Sequence, residues 1–322
     1  MKLSVFSPIF ADKSLEEMLR YLNSEGISSL ELGCSGYPGT LHANAEHLIK
    51  HKEEAAEIKN LLKKYNITVC ALSTHNNPVH PNIETAKKAQ KEFEYACLLA
   101  KELQVDTIVT FSGCPGGAAG EKYPNWVTCP WPQDFLKVLD YQWNEVLIPY
   151  WKKAAEFAKS CGINKIALEM HPGFCVYNPK TLMRLREEVG EIIGANFDPS
   201  HLIWQGVDCE EAIRFLGKAI YHFHAKDTKT DKRNCAINGV LDTLHYSDEI
   251  NRSWIFRSVG YGLNESTWKG MMSMLNLIGY DGAISIEHED SLMQPYEGLE
   301  KSIEFLNKIL IKNKKPESIS WA

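Results

Sequence analysis

Four side chains with metal-binding or proton-moving chemistry close four successive apolar runs. They are Glu169 in KIALEMHPG, Asp198 in IIGANFDPSH, His224 in AIYHFHAKD and Glu287 in AISIEHED. Three carboxylates and one imidazole form an oxygen-rich donor set, which suits Mn²⁺, Mg²⁺ or Co²⁺ better than a thiolate-type zinc site. A single polar strand end is ordinarily just solvated. Four in order, on parallel strands roughly 4.8 Å apart, reach one point from one side. Their neighbours extend the set. Residues two apart on a strand share a face, so His171 is expected to point with Glu169, and Glu289 with Glu287. His171 then reads as a general acid/base or as a hydrogen-bond partner of a ligand. His201, three residues after Asp198, is expected to touch substrate, and Lys226, two after His224, brings an ammonium to the centre. The run STHNNPVHP adds His75 and His80, of which His75 is the nearer candidate for a substrate contact. His42, His47 and His51 read as helix-surface residues and carry no assigned role.

These residues need strands to carry them and helices to space the strands. Strand-like runs fall at 3–7, 28–33, 68–74, 107–113, 165–171, 193–201, 219–227 and 283–289. Between them lie stretches of helical period near 44–66, 84–104, 132–161, 179–189, 208–218, 265–278 and 295–312. Another follows Ser14, whose Ser-x-x-Glu pattern with Glu17 predicts a capping box, with Gly26 closing the helix. Strand and helix alternate throughout, which implies a parallel sheet with helices outside. Eight such units predict an α/β fold of the (β/α)₈ TIM barrel type, with residues 1–322 as a single domain. An open doubly wound sheet would ordinarily carry a glycine-rich turn after its first strand, and SPIFADKS has no glycine. Two connections are long, at about 114–132 and 228–263. Loops of this length are usually functional, and their aromatic residues, Trp126 among them, are expected to cover a ligand.

The composition fits a cytoplasmic enzyme. The chain has 322 residues, an apolar fraction of 44% and a formal net charge of −6. Phosphate binding needs a basic surface, so nucleic acid is not an expected partner. The nine cysteines include no CxxC pair and read as reduced thiols. The start, MKLSVFSPIFADK, lacks the pattern of a signal peptide, and no run is long and apolar enough to span a bilayer.

Together LEMHPG, NFDPSH, HFHAKD and SIEHED resemble the xylose isomerase-like barrel superfamily, and more narrowly its sugar phosphate isomerase/epimerase branch. The resemblance runs from LSVFSPIF to HEDSLM. It implies one divalent cation, Mn²⁺ foremost with Mg²⁺ or Co²⁺ as alternatives, held by Glu169, Asp198, His224 and Glu287. In the related ketose 3-epimerases the two glutamates also move the proton, one on each face of the sugar. The Asp-x-x-His of those enzymes matches Asp198 and His201. Their arginine shortly after the metal histidine is not matched: HAKDTKTDKR offers Lys226, Lys229 and Arg233 at other offsets. A substrate other than a simple free ketose is therefore expected. The long segments resemble a subgroup associated with oxidised sugars, which includes the larger (alpha) subunits of bacterial C-glycoside deglycosidases. Those act on 3-oxo glycosides with a small β-rich partner subunit.

The implied chemistry is enolisation of a keto sugar or 3-oxo glycoside. A carboxylate, or His171, removes the carbon-bound proton. Return of the proton gives an epimer or an isomer, and loss of a group β to the carbonyl gives a lyase-type cleavage. All three outcomes stay open, as do a homo-oligomer and a hetero-oligomer. DNA-repair endonucleases share the fold but need three zinc ions, and their additional Asp-x-His is not evident in 228–263.

Overall fold

In the computed structural model, which describes residues 1–313, Ser318 and Trp321, strands and helices alternate from the first residues. The strands are β1 (Lys2–Phe6), β2 (Ser29–Gly33), β3 (Thr68–Ser73), β4 (Thr107–Phe111), β5 (Lys165–Glu169), β6 (Ile193–Phe197), β7 (Ile220–Ala225), β8 (Asp227–Thr230), β9 (Trp254–Arg257) and β10 (Ala283–Ile286). The strand order β1-β10-β7-β6-β5-β4-β3-β2 is that of a closed parallel barrel, as the alternation predicts. β8 and β9 form a separate antiparallel pair. Every residue of β2, β4 and β6 is buried. Parallel strands covered on both faces require this, and it explains why they read as apolar runs rather than alternating ones.

The chain divides into two compact units, Phe6–Asn196 and Met1–Val5 with the chain from Phe197 onward. In the first, the pairings step from β2 to β3, β4, β5 and β6. Long helices, Ile83–Leu103 and Ile148–Ser160, meet through buried aromatics, with Phe93 edge-on to Trp151 at 5.7 Å. The capping box forms as expected: Ser14 N–H donates to Glu17 Oε2 at 2.8 Å and Glu17 N–H to Ser14 Oγ at 3.3 Å. In the second unit β10 lies between β1 and β7. Trp268, fully buried on helix Glu265–Leu277, backs Phe223 of β7 at 6.5 Å.

Three expectations need correction. The helix near 44–66 is two helices, Ala45–Lys50 and Lys52–Lys64, broken at His51 where φ is −126° and ψ is 75°. The run 193–201 leaves the sheet at Phe197, because Asp198-Pro199 starts a short helix, Pro199–Ile203. Proline at the first helical position lacks only an N–H that would have had no partner inside the helix. His201 is thus helical, not on a strand. Residues 228–263 are no irregular loop: they hold most of β8, all of β9 and a helix, Lys232–Asn238. The 114–132 connection has neither strand nor helix.

Candidate metal centre and its surroundings

Asp198, His224 and Glu287 meet in the second unit, with ligand atoms within 4.8 Å of one another. Each is placed by its own element. Asp198 caps the helix at Pro199–Ile203, its Oδ1 accepting from Ser200 N–H at 2.8 Å. The cap fixes the carboxylate and turns Oδ2 toward His201 Nε2 at 3.2 Å and Lys226 Nζ at 3.1 Å. His224 lies near the carboxyl end of β7, fully buried, with Nδ1 3.0 Å from Glu287 Oε2. Glu287 follows β10, where Ser285 is level with His224 and Ile286 with Ala225. That register sets the glutamate beside the imidazole.

Lys226 brings the positive charge that its position predicts. The side chain is 2% exposed, and Nζ lies 2.9 Å from Glu287, 3.1 Å from Asp198 and 3.0 Å from Glu289. Its ammonium also stands 4.8 Å from the centre of the Phe256 ring. Phe256 also meets His201, edge-on at 5.3 Å. A buried ammonium is tolerated only when paired, and three carboxylates supply the pairing.

In the first unit Glu169 ends β5, 2% exposed, and its Oε2 meets His75 Nε2 at 3.1 Å and accepts from Asn196 Nδ2 at 3.0 Å. Asn196 is its level partner on β6. His75 and His171 stand edge-on to Phe111 at 4.6 and 4.9 Å. His171 has a ring nitrogen within 4.8 Å of a Glu169 carboxylate oxygen, while its Nδ1 lies 2.6 Å from Pro172 O. His75 and His171 therefore accompany Glu169 as the spacing predicts, although β5 stops at Glu169 and His171 follows in a turn. Trp126 goes elsewhere. It stands edge-on to Tyr177 at 5.4 Å and lines a cavity of about 210 Å³ with Cys114, Trp143 and Arg184, to which Glu169, His75 and His171 contribute nothing. His42 is buried rather than on the surface, with Nε2 3.0 Å from Lys13 O.

Sequence reasoning missed Asn196 and Asp227. Asn196 carries no charge and sits inside an apolar run, so only strand pairing reveals it. Asp227, in the HAKD run, accepts from the N–H groups of Thr228, Gly260, Gly262 and Leu263 at 2.9–3.1 Å and from Trp268 Nε1 at 3.0 Å. Burial pushes its carboxyl above the usual range, outweighing the donors from Trp268 and the backbone that pull it down. Asp227 thus ties the chain after β9 to the chain after β7. The signal was an acid one step beyond Lys226, and charge type alone could not separate an anchor from a ligand.

The chain belongs to a family described as the xylose isomerase-like TIM barrel, whose model matches residues 19–309. It is 39% identical over 312 residues to the protein YfiH of Bacillus subtilis strain 168, spanning 96% of this chain and 99% of that one. Among solved structures it is similar to the IolI protein with a bound zinc atom, with TM-score 0.67, 18% identity and coverage of 96% and 98%. It is also similar to 3-keto-D-glucoside 4-epimerase YcjR from E. coli, with TM-score 0.63, 15% identity and coverage of 96% and 99%. At such identities the likeness to solved structures speaks for the fold.

Among the described residues no helix is long and apolar enough to cross a membrane. The donor set fits a divalent cation. Two carboxylates and one imidazole converge, which is oxygen-rich with one nitrogen.

Proposed function

We propose that this chain is a divalent-metal-dependent sugar isomerase or epimerase that enolises a keto sugar or 3-oxo glycoside. The observation that carries the proposal is the convergence of Asp198, His224 and Glu287 at the carboxyl ends of their strands, where family barrels build active sites. Glu169, at the carboxyl end of β5, is the proposed fourth ligand, and Mn²⁺ the proposed ion. The zinc in IolI supports a divalent cation, and the activity of YcjR supports a keto sugar as substrate. A divalent cation bound here supplies Lewis-acid stabilisation of charge on a carbonyl oxygen.

The chain's own residues do the rest. Glu169, held by His75 and Asn196, takes the proton from the carbon beside the carbonyl. Glu287 acts from the other side, next to the Lys226 ammonium. Lys226 and His201 hold substrate hydroxyls, and His75 orients the base. Trp126 is proposed to contact a substituent of the sugar. If a leaving group sits β to the carbonyl, the same first step ends in elimination, with His171 as acid or base. A small β-rich partner subunit of the C-glycoside deglycosidase type belongs to that second outcome, and a homo-oligomer to the first. In either case residues 1–322 act as one barrel domain in the cytoplasm.

The test is incubation of Mn²⁺-loaded protein with a panel of keto sugars and 3-oxo glycosides in D₂O. One deuterium at the carbon beside the carbonyl of the turned-over compound is expected. No exchange with any member of the panel overturns the proposal. His171→Ala separates the two outcomes. In an epimerase the exchange persists, and in an elimination turnover falls by about 10²–10⁴-fold, the usual cost of a lost general acid or base.

A further inference from the structure

The break between helices Ala45–Lys50 and Lys52–Lys64 brings together three donors that the proposed reaction does not use. They are His47, His51 and Glu54, each with a ligand atom within 4.8 Å of the others. In one straight helix His47 and Glu54, seven apart, would sit two turns from each other. With the chain turned at His51, His47 Nε2 lies 2.9 and 3.0 Å from the two Glu54 oxygens. The His47 and His51 rings stack at 4.0 Å, so the two imidazoles are neighbours as well.

A second observation concerns the proton on His51. Its Nδ1 is 2.9 Å from His47 O. A carbonyl only accepts, so Nδ1 carries the hydrogen of this contact, which leaves Nε2 as the ring nitrogen available to a metal. Metal-binding histidines are ordinarily set up this way, one ring nitrogen donating to a backbone carbonyl and the other turned to the metal. His47 and Glu54 line a cavity of about 290 Å³ together with His42, Asn44 and Glu57. It leaves room for water to complete a tetrahedral shell. His47 and Glu54 are about half exposed, so an ion reaches them from solution.

We infer that His47, His51 and Glu54 form a second metal site, selective for a divalent transition ion of the zinc type. Two imidazoles and one carboxylate favour Zn²⁺, Cu²⁺ or Ni²⁺ over Mn²⁺ and Mg²⁺, the reverse of the oxygen-rich centre at Asp198. Bound there, the ion joins the last turn of one helix to the first turns of the next and clips the break at His51. Without a metal the His47–Glu54 pair is a solvated contact of small effect.

The test uses Zn²⁺ itself, titrated against the metal-free full chain in competition with a chromophoric chelator. Two equivalents are expected in wild type, at least one with micromolar affinity. His47→Ala and Glu54→Gln should each lose one equivalent and keep the Mn²⁺ binding of the centre at Asp198. His51→Ala should lose the same equivalent, because the lone pair goes with the ring. Co²⁺ should show the intense visible bands of a tetrahedral site in wild type and in Asp198→Asn, but not in His47→Ala. Unchanged zinc stoichiometry in His47→Ala and Glu54→Gln overturns the inference, and so does binding only at millimolar zinc. The surface variants are read by metal content alone, so failure of the enolisation proposal leaves this result standing.

Discussion

The two long connections, 114–132 and 228–263, look alike in sequence and are held in opposite ways. The first has neither strand nor helix, and side-chain amides pin it, with the Glu121 carboxylate accepting from Gly117 N–H. Asn77 both donates to Cys114 O at 2.9 Å and accepts from Cys114 N–H at 3.0 Å. Buried Gln142 donates to Pro115 O, Gly116 O and Asn125 O at 3.1, 3.2 and 2.6 Å. The second contains the β8–β9 ribbon and a helix, and buried charges hold it. Asp227 gathers its five N–H donors, and Asp290 accepts from Arg257 Nε at 3.1 Å and Ser258 N–H at 2.8 Å. Arg252, 2% exposed, stands against both Tyr246 and Trp254, with ring distances of 4.4 and 4.6 Å. A long insertion is not a lid by virtue of its length alone. The 228–263 segment carries Phe256 against Lys226 and His201, and its charged anchors make it part of the wall of the centre.

The largest expected effects come from removing a charged anchor. Asp290→Ala leaves the Arg257 guanidinium without its carboxylate, and breaking such a pair costs about 3–5 kcal/mol. Asp227→Ala should cost at least as much, since five donors lose one acceptor. Denaturant unfolding measures both. A loss no larger than that of a surface substitution would show the anchors to be passive.

Gln142→Ala should cost about 1–3 kcal/mol, the desolvation penalty of polar groups left without a partner. It should raise hydrogen exchange across 115–126 and leave 254–263 untouched. Equal loosening of both segments would mean that they are not held independently.

The smallest effect is on pH. Burial works against ionisation of Asp290, but the N–H groups of Ser258 and Leu292 and the Arg257 guanidinium prevail and hold its pKa below the usual carboxylate range. A depressed carboxyl contributes stability that is present above its unfolded value, about 3.9, and is lost as pH falls through the folded value. Acidification below about pH 4 should therefore loosen the chain near Ser258 before the chain near Cys114, whose amide anchors do not titrate. Exchange rates at both places, against Asp290→Asn as control, check this.

Strand ends were the legible part of the sequence. Apolar runs ending in Glu169, Asp198, His224 and Glu287 gave both the barrel and the residues to examine, because burial on both faces and polarity at one end write themselves into composition. Three things were hidden. The turn at His51 sits in a continuous helical pattern with neither glycine nor proline to mark it. The β8–β9 ribbon is read as loop because Thr228–Thr230 and Trp254–Arg257 are too short to show a period, and their pairing spans more than twenty residues. The edge-on contact of Trp126 with Tyr177 depends on packing that no local pattern carries.

Asp198, His224 and Glu287 are proposed to hold one divalent cation, with Glu169 as the proposed fourth ligand. Mn²⁺ titration followed by electron paramagnetic resonance tests it most directly, because the His47 site takes Mn²⁺ poorly. Wild type should bind one equivalent. Asp198→Asn, Glu287→Gln, Glu169→Gln and His224→Ala should each weaken binding by at least tenfold, with unchanged circular dichroism. Wild-type Mn²⁺ affinity in all four folded variants would contradict the account.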